Sequence, residues 1–234
     1  KKLSITLLTL LWVSLFGFST ASAAGLGFGV TGSWFSVEAD GTETDSNDAG
    51  TENSDRTGEA QNSTQIGSIY TEVVLENGFA LGYEMTPGSA DVSDNVRQRE
   101  DTEKSVTDTA AETSTNRVFK ANAEVENYHV LYAEMPLWGS LYGRLGWAEV
   151  DLNTTETASG NGGNYGNTTL DGINYGIGFK GVMANNVTWK TAAEITDFDG
   201  FSLTSSGNST GSGTNTITAD VDTWSLRFSL GYQF

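Results

Sequence analysis

The sequence has no cysteine, one histidine, two prolines and only twelve basic residues in 234 positions. Without cysteine there is no disulfide framework, no thiolate metal site and no cysteine nucleophile. One histidine excludes sites that need paired imidazoles, so we predict no metal centre and no cofactor. Thirty acidic residues bring the formal charge to −18. A chain of this charge repels phosphate, so we expect no nucleic-acid partner.

Long hydrophobic runs are also missing, except in the first segment. Two lysines are followed by an uncharged stretch, residues 3–18, and then by Ala21, Ser22 and Ala23, a small-x-small cleavage pattern. A membrane helix needs about 20 apolar residues, and this stretch is shorter and contains Ser and Thr. We therefore predict a secretory signal peptide over 1–23, cleaved before Ala24, and one domain over 24–234. Losing two lysines changes the charge to −18 − 2 = −20.

The rest of the chain alternates with a period of two, which is the period of a β-strand. In the last strand every second residue is apolar or aromatic, and the residues between are small or polar: Trp224, Leu226, Phe228, Leu230, Tyr232 and Phe234 form the apolar set. Four other segments alternate in the same way, beginning near Leu26, Phe79, Tyr142 and Ile173. One face of each strand is therefore apolar.

Three noisier segments, 65–76, 118–135 and 187–199, bring the predicted number of strands to eight. In 118–135 we favour Tyr128, Val130 and Tyr132 on the outward face, and the opposite parity fits nearly as well. The connections alternate in length. They are short at 76–78, 136–140 and 184–186, and long at 40–64, 87–117, 153–168 and 200–216.

Short and long connections at opposite ends of an even set of antiparallel strands are typical of a transmembrane barrel. A soluble sandwich, the alternative, has no reason to segregate loop length by end. In lipid the sheet must close, because an open edge would leave amides unpaired. The fold class is thus predicted as all-β, an eight-stranded antiparallel transmembrane β-barrel with short periplasmic turns and long extracellular loops. Five Trp and two Tyr are predicted to mark the membrane interfaces: Trp34, Trp138, Trp147, Trp189, Trp224, Tyr83 and Tyr175.

The chain resembles the small eight-stranded outer-membrane barrels of Gram-negative bacteria, the OmpA-type transmembrane domain family, over its whole mature length. The ending Tyr232-Gln233-Phe234 is similar to the signature that the barrel-assembly machinery recognises, and 141–147 and 173–178 look like that family's glycine-alternating strands. The resemblance implies an outer-membrane location, lipid as surroundings, and an assembly signal formed by Phe228, Leu230, Tyr232 and Phe234. We expect a monomer.

An eight-stranded barrel is only wide enough for its own side chains to fill it. The predicted register sends seven charged residues inward, where each needs a partner: Glu72, Glu84, Arg144, Lys180, Lys190, Glu194 and Arg227. We predict a salt-bridge network that plugs the lumen. A solvated lumen with few direct pairs is the alternative.

The sequence gives few other indications of a binding or catalytic site. The acidic loops 40–64 and 87–117 suggest at most weak divalent cation binding. His129 has no Ser two residues away, so the pattern of a barrel lipid hydrolase is missing and we predict no enzyme. The sequence favours a non-enzymatic surface or structural barrel that displays acidic polar loops for envelope integrity or adhesion. A narrow, porin-like channel for small solutes is the alternative.

Overall fold

Ten antiparallel strands account for nearly all of the chain that can be described. The computed structural model describes residues 23–46, 55–92, 97–105, 113–158, 164–206 and 214–234. The strands are β1 Ala23–Ser46, β2 Asp55–Leu75, β3 Ala80–Asp91, β4 Arg97–Ser105, β5 Thr113–Trp138, β6 Leu141–Ala158, β7 Thr168–Val182, β8 Val187–Phe198, β9 Phe201–Thr204 and β10 Thr214–Gln233.

Eight of these strands form a closed ring in the order β1, β2, β3, β5, β6, β7, β8, β10. The ring is closed by β10, which pairs with β1 from Gly27↔Gln233 to Ser46↔Thr214. Among the described residues, the short strands β4 and β9 pair with β5 and β10 respectively. Pairing of β10 with β1 gives a neighbour to the two strands that would otherwise be the edges of an open sheet.

The short connections use the residues that the sequence singles out for tight turns. At Glu76–Phe79 the chain turns through Gly78, whose φ is 81°. Gly78 N–H donates to the Leu75 carbonyl at 2.9 Å, and Phe79 N–H donates to Asn77 Oδ1 at 3.0 Å. Left-handed backbone is otherwise costly for residues with a Cβ, which is why Gly and Asn occupy such positions.

The predicted long loops 40–64 and 87–117 are largely strand and the other two are partly strand, which corrects their boundaries. The β1–β2 pairing continues to Thr44↔Asp55, and β5 pairs with β6 as far as Phe119↔Ala158. Above the membrane the strand pattern reverses, with Val37 buried inside while Glu38 and Asp40 are exposed outside. An apolar interior with a polar exterior is the pattern of a strand in water, and this reversal hides the strands from a search for apolar outer faces.

The outer surface carries an apolar belt on the lower part of the ring. Its members are exposed although they are large and hydrophobic, and they come from all eight ring strands: Leu26, Phe28, Val30, Trp34, Ile69, Leu81, Met85, Met135, Leu145, Ile173, Tyr175, Ile177, Phe179, Ile195, Trp224, Leu226, Phe228 and Leu230. Exposed apolar area of this extent requires a lipid environment. Within the described ranges no helix is long and apolar enough to cross a membrane.

The parity favoured for 118–135 is wrong. Val130 and Tyr132 are 1% and 3% exposed and point into the barrel, and Tyr128 lies in the interior against Phe35 and Phe198. The period of two couples all side chains of a strand, so this register also turns Glu134 inward. In this register Glu134 lies next to inward cations. The resulting ion pairs outweigh the gain that the two tyrosines would make by facing lipid.

The closed ring with an apolar exterior is the architecture of outer-membrane proteins, since only closed sheets can cross a bilayer by strands. The fold class and the outer-membrane location predicted from the sequence are confirmed.

Candidate functional site

The interior of the lower barrel is filled by ionised side chains from adjacent strands. The upper part is a closed cycle of two carboxylates and two guanidinium groups. Arg144 Nη2 contacts Glu84 at 3.0 Å and its Nη1 contacts Glu194 at 3.4 Å. Arg227 contacts the same two carboxylates from the other side. Each charge in the cycle thus has two partners of opposite sign.

The lower part is a linear array. Glu134 accepts from Lys180 at 3.0 Å and from Lys190 at 2.7 Å, and Lys190 also binds Glu72. Tyr132 joins the two parts, because its hydroxyl donates to Glu72 at 3.0 Å while the Arg144 guanidinium lies 3.8 Å above its ring.

We call this set the charged plug: Glu72, Glu84, Glu134, Arg144, Lys180, Lys190, Glu194 and Arg227. It contains four acids and four bases, so its formal charge is balanced. Most of its side chains are under 10% exposed, and only Lys180 reaches 22%. Buried charges are tolerated when each is paired in this way. The seven charged residues that the sequence assigned to the lumen all lie in it.

Glu134 is the member that the sequence reasoning missed. It is fully buried and bridges both lysines. The register pairs it with Arg144 on the neighbouring strand. An odd number of predicted lumen charges, three acids against four bases, was the signal that a further carboxylate was needed.

A polar cavity of about 240 Å³, its open mouth included, lies inside the plug. Its lining includes Tyr70, Tyr142, Lys190 and Ser229. Glycines on the inner wall leave this space: a Cβ added at Gly231 would collide with the Tyr70 hydroxyl. The plug is therefore tightly paired but not solid.

Above the plug the interior becomes apolar. We call this region the apolar chamber, a space of about 470 Å³ with its mouth included. It is lined by Phe35, Ile66, Thr86–Ala90, Val125, Glu126, Tyr128, Val150, Phe198, Val221 and Thr223. The Tyr128 hydroxyl bonds Thr196 Oγ1 at 2.8 Å on the plug side, so its ring forms part of the chamber floor. Further apolar side chains pack above the chamber, among them Val37, Leu152 and Leu170.

The outer surface above the belt is acidic. Exposed carboxylates face outward there on several strands: Glu38, Asp40, Glu59, Asp171, Asp197, Asp199, Asp220 and Asp222. Some are direct cross-strand partners, as in Glu38↔Asp222 and Asp222↔Asp197. Burial and these neighbouring carboxylates raise the pKa of Asp222. Where the structure describes side chains, every Lys and Arg lies in the plug, so the described part of this band has no basic residue.

His129 lies outside the lumen. Its Nε2 is 3.3 Å from Glu149 and its Nδ1 is 2.9 Å from the Asn127 carbonyl, and the rings of Tyr83 and Trp147 flank it. None of these neighbours is a serine, threonine or cysteine, the usual nucleophiles of a hydrolase.

The predicted assembly signal lies on the outer face, and the predicted cleavage site lies at the start of the described residues. Phe228, Leu230, Tyr232 and Phe234 all face outward, and the Phe234 ring stacks on Phe28 at 5.6 Å. Ala21 lies outside the described residues, as do residues 1–22 in general, whereas Ala23 begins β1 and Ala24 follows it.

The predicted interfacial aromatics lie on the outer surface, with Trp138 the most exposed at 86%. Trp34 and Trp224 sit next to the acidic band, and Trp138 and Trp189 lie towards the short turns.

The predicted weak binding of divalent cations by loops 40–64 and 87–117 concerns in part residues outside the described ranges. Within those ranges, no three His, Asp or Glu side chains are grouped to hold a metal ion.

The sequence matches no protein-family model and no curated protein. Solved structures of similar shape are outer-membrane proteins. OprG from Pseudomonas aeruginosa is 14% identical with a TM-score of 0.48, over 91% of this chain and 97% of that one. The protease OmpT from Escherichia coli is 8% identical with a TM-score of 0.48, over 93% and 99%. Ail, the attachment invasion locus protein of Yersinia pestis, is 14% identical with a TM-score of 0.33, over 87% and 99%. At these values the comparison does not assign an activity.

Proposed function

We propose that this chain is a non-enzymatic, non-conducting barrel that anchors and displays acidic hairpins above the outer membrane. The observation that carries the proposal is the charged plug, in which every ionised group has a partner and most are removed from water. A pore needs a continuous wet path, and a paired plug blocks it.

The part above the membrane supports a display role. The β1–β2 and β5–β6 hairpins are paired well beyond the belt, and apolar side chains fill their interior. Paired strands with a packed core hold their outer residues in fixed positions. What they present is a band of carboxylates, which suits cationic partners or a role in surface shielding.

Single-channel recording of the protein in planar bilayers tests the blocked lumen. We expect no steady conductance from the wild type. The double substitution Glu84→Ser with Arg227→Ser removes one acid and one base, so it should open a path without leaving a net charge. The control, Glu38→Ser with Asp222→Ser, changes two outward residues and should stay silent.

The narrow channel is kept as a second candidate because a small polar space lies inside the plug. Reproducible conductance steps from the wild type, abolished by bulky substitution at Ala192 in that lining, would favour the channel and contradict the blocked lumen.

The display role has its own test. An epitope inserted within 47–54, between β1 and β2, should be accessible to antibody on intact cells. Binding of cells to a polycationic surface should fall when Asp197, Asp220 and Asp222 become Asn, and it should fall in the wild type as salt rises. Unchanged binding would argue against a role for the acidic band.

A further inference from the structure

The wall of the ring is interrupted beside the apolar chamber. The β2–β3 pairing runs only from Val74↔Ala80 to Ile69↔Met85. Beyond that point β2 continues to pair with β1 and β3 continues to pair with β5, so each strand keeps one neighbour and lacks the other. We call the interval between 63–68 and 86–90 the wall gap.

Local sequence explains why the pairing stops. Pro87 has no N–H to donate to a ladder, and a proline in a central strand breaks pairing. The β3–β5 register also shifts between Thr86 and Ser89, and Gly88 has a φ of 96°. Both irregularities lie directly after Met85, the last residue of β3 that pairs with β2. At the top of the interval Asn62 Nδ2 donates to the Asp91 carbonyl at 2.7 Å, so the gap is bounded above as well as below.

The gap leads from the outside of the barrel into the chamber. Ile66 and Thr86–Ala90, which line the chamber, are the same residues that border the gap. The lower border is the pair Ile69 and Met85, and both are exposed members of the apolar belt. Ile66 on the border of the gap lies between the exposed belt residues below it and the buried Phe35, Val125 and Phe198 inside, while the other border residues are small or polar.

Described side chains also lie below and above the chamber. The charged plug lies below it, with the Tyr128 ring between them. The apolar cluster of the upper hairpins packs above it. The chamber is lined mainly by apolar groups, so it takes up hydrocarbon more readily than water.

We propose that the wall gap admits one acyl chain of an outer-leaflet lipid into the apolar chamber, with the lipid headgroup remaining outside. Membrane lipid is the occupant that the position selects, because the lower border of the gap belongs to the belt that lipid already covers. The blocked floor makes this a binding site and not a passage. The exposed Pro87 and Ser89 and the half-buried Glu126 would lie near the headgroup.

The test uses a phospholipid that carries a photoactivatable diazirine near the end of one acyl chain. The protein is reconstituted in phosphatidylcholine vesicles doped with this lipid, illuminated, digested and mapped by mass spectrometry. We expect adducts on inward residues, in particular Val125, Val150 and Phe198, in addition to adducts on the belt. Adducts confined to outward residues of the wild type would overturn the proposal without need of any variant.

Two variants locate the entry. Ile66→Trp fills the gap from its border and should remove the inward adducts. Its matched control Ile69→Trp is three residues away on the outward face and should retain them. Val125→Phe fills the chamber from the opposite wall and serves if Ile66→Trp does not fold, with folding checked by the gel mobility shift on boiling.

Inward adducts that persist in folded Ile66→Trp and Val125→Phe would contradict entry by the gap. A parallel arm adds the diazirine as a free fatty acid from the aqueous phase. Inward labelling by the fatty acid but not by the phospholipid would show that the chamber opens to water, which would also overturn the proposal.

Discussion

Neutralising Glu134 by Glu134→Gln is the sharpest perturbation of the charged plug. This carboxylate is fully buried and binds both Lys180 and Lys190. Glutamine has the same shape, so the change removes one charge and little volume. It leaves four bases and three acids in the lumen.

The expected loss follows from what each lysine retains. Removing one partner from a buried ion pair costs about 3–5 kcal/mol. Lys190 keeps Glu72, and Lys180 keeps a hydrogen bond to the Gly78 carbonyl at 3.1 Å and is partly exposed. We therefore expect the lower end of that range, about 3 kcal/mol of the free energy of unfolding.

The measurement is urea unfolding in phospholipid vesicles, followed by tryptophan fluorescence and analysed as a two-state transition. The control is Glu149→Gln. Glu149 is outward and about a quarter exposed, and it pairs with His129 at 3.3 Å. It should lose no more than about 1 kcal/mol.

Adding Lys180→Gln to Glu134→Gln restores the charge balance. The double variant should therefore be more stable than Glu134→Gln alone, with a coupling of about 1 kcal/mol or more. Stability of Glu134→Gln within about 1 kcal/mol of the wild type, together with no coupling to Lys180, would refute the idea that the plug is a paired network.

Three further results are expected in the same unfolding assay. Gly82→Ala should cost about 1–3 kcal/mol, because the added methyl group meets the Tyr132 ring. Its control Gly32→Ala has open space at that point and should be neutral or slightly stabilising. Tyr132→Phe should cost about 1.5 kcal/mol, since it removes a hydrogen bond to a buried carboxylate. Asp222→Asn should stabilise the barrel by about 0.5 kcal/mol at pH 7, because it removes a charge opposite Asp197. The raised pKa of Asp222 means that the folded state holds this proton to higher pH than the unfolded chain, so wild-type stability falls as pH rises from the ordinary value near 3.8 through the folded pKa. The advantage of Asp222→Asn should therefore vanish below pH 3.8, and an advantage that is the same at both pH values would contradict the carboxylate repulsion.

Much of the membrane-spanning barrel can be predicted from the sequence, because the outward residues of its strands must be compatible with lipid. Lipid accepts only apolar outer faces, so residues such as Phe28, Ile177 and Leu226 must alternate with small or polar ones, and the period of two then assigns the inward residues. The turn at Gly78 can also be predicted from the local sequence, since a left-handed backbone favours glycine.

The inward and outward faces in the middle of β5 cannot be predicted in this way. Tyr128, Val130 and Tyr132 satisfy the outward rule as well as their neighbours do, and only the cations of other strands select the register that buries Glu134. Information of this kind is spread over strands that are far apart in the chain, and no local pattern contains it.

The sequence by itself determined the number of ring strands, the outward faces of most of them and seven charges of the lumen, because these follow from local alternation and from the chemistry of lipid. The tertiary structure decided which charges meet, how far the hairpins extend, and that the interior changes from charged to apolar above the plug. The wall gap also belongs to the tertiary structure. Pro87 is visible in the sequence, but only closure of the ring places its broken ladder between the belt and the apolar chamber.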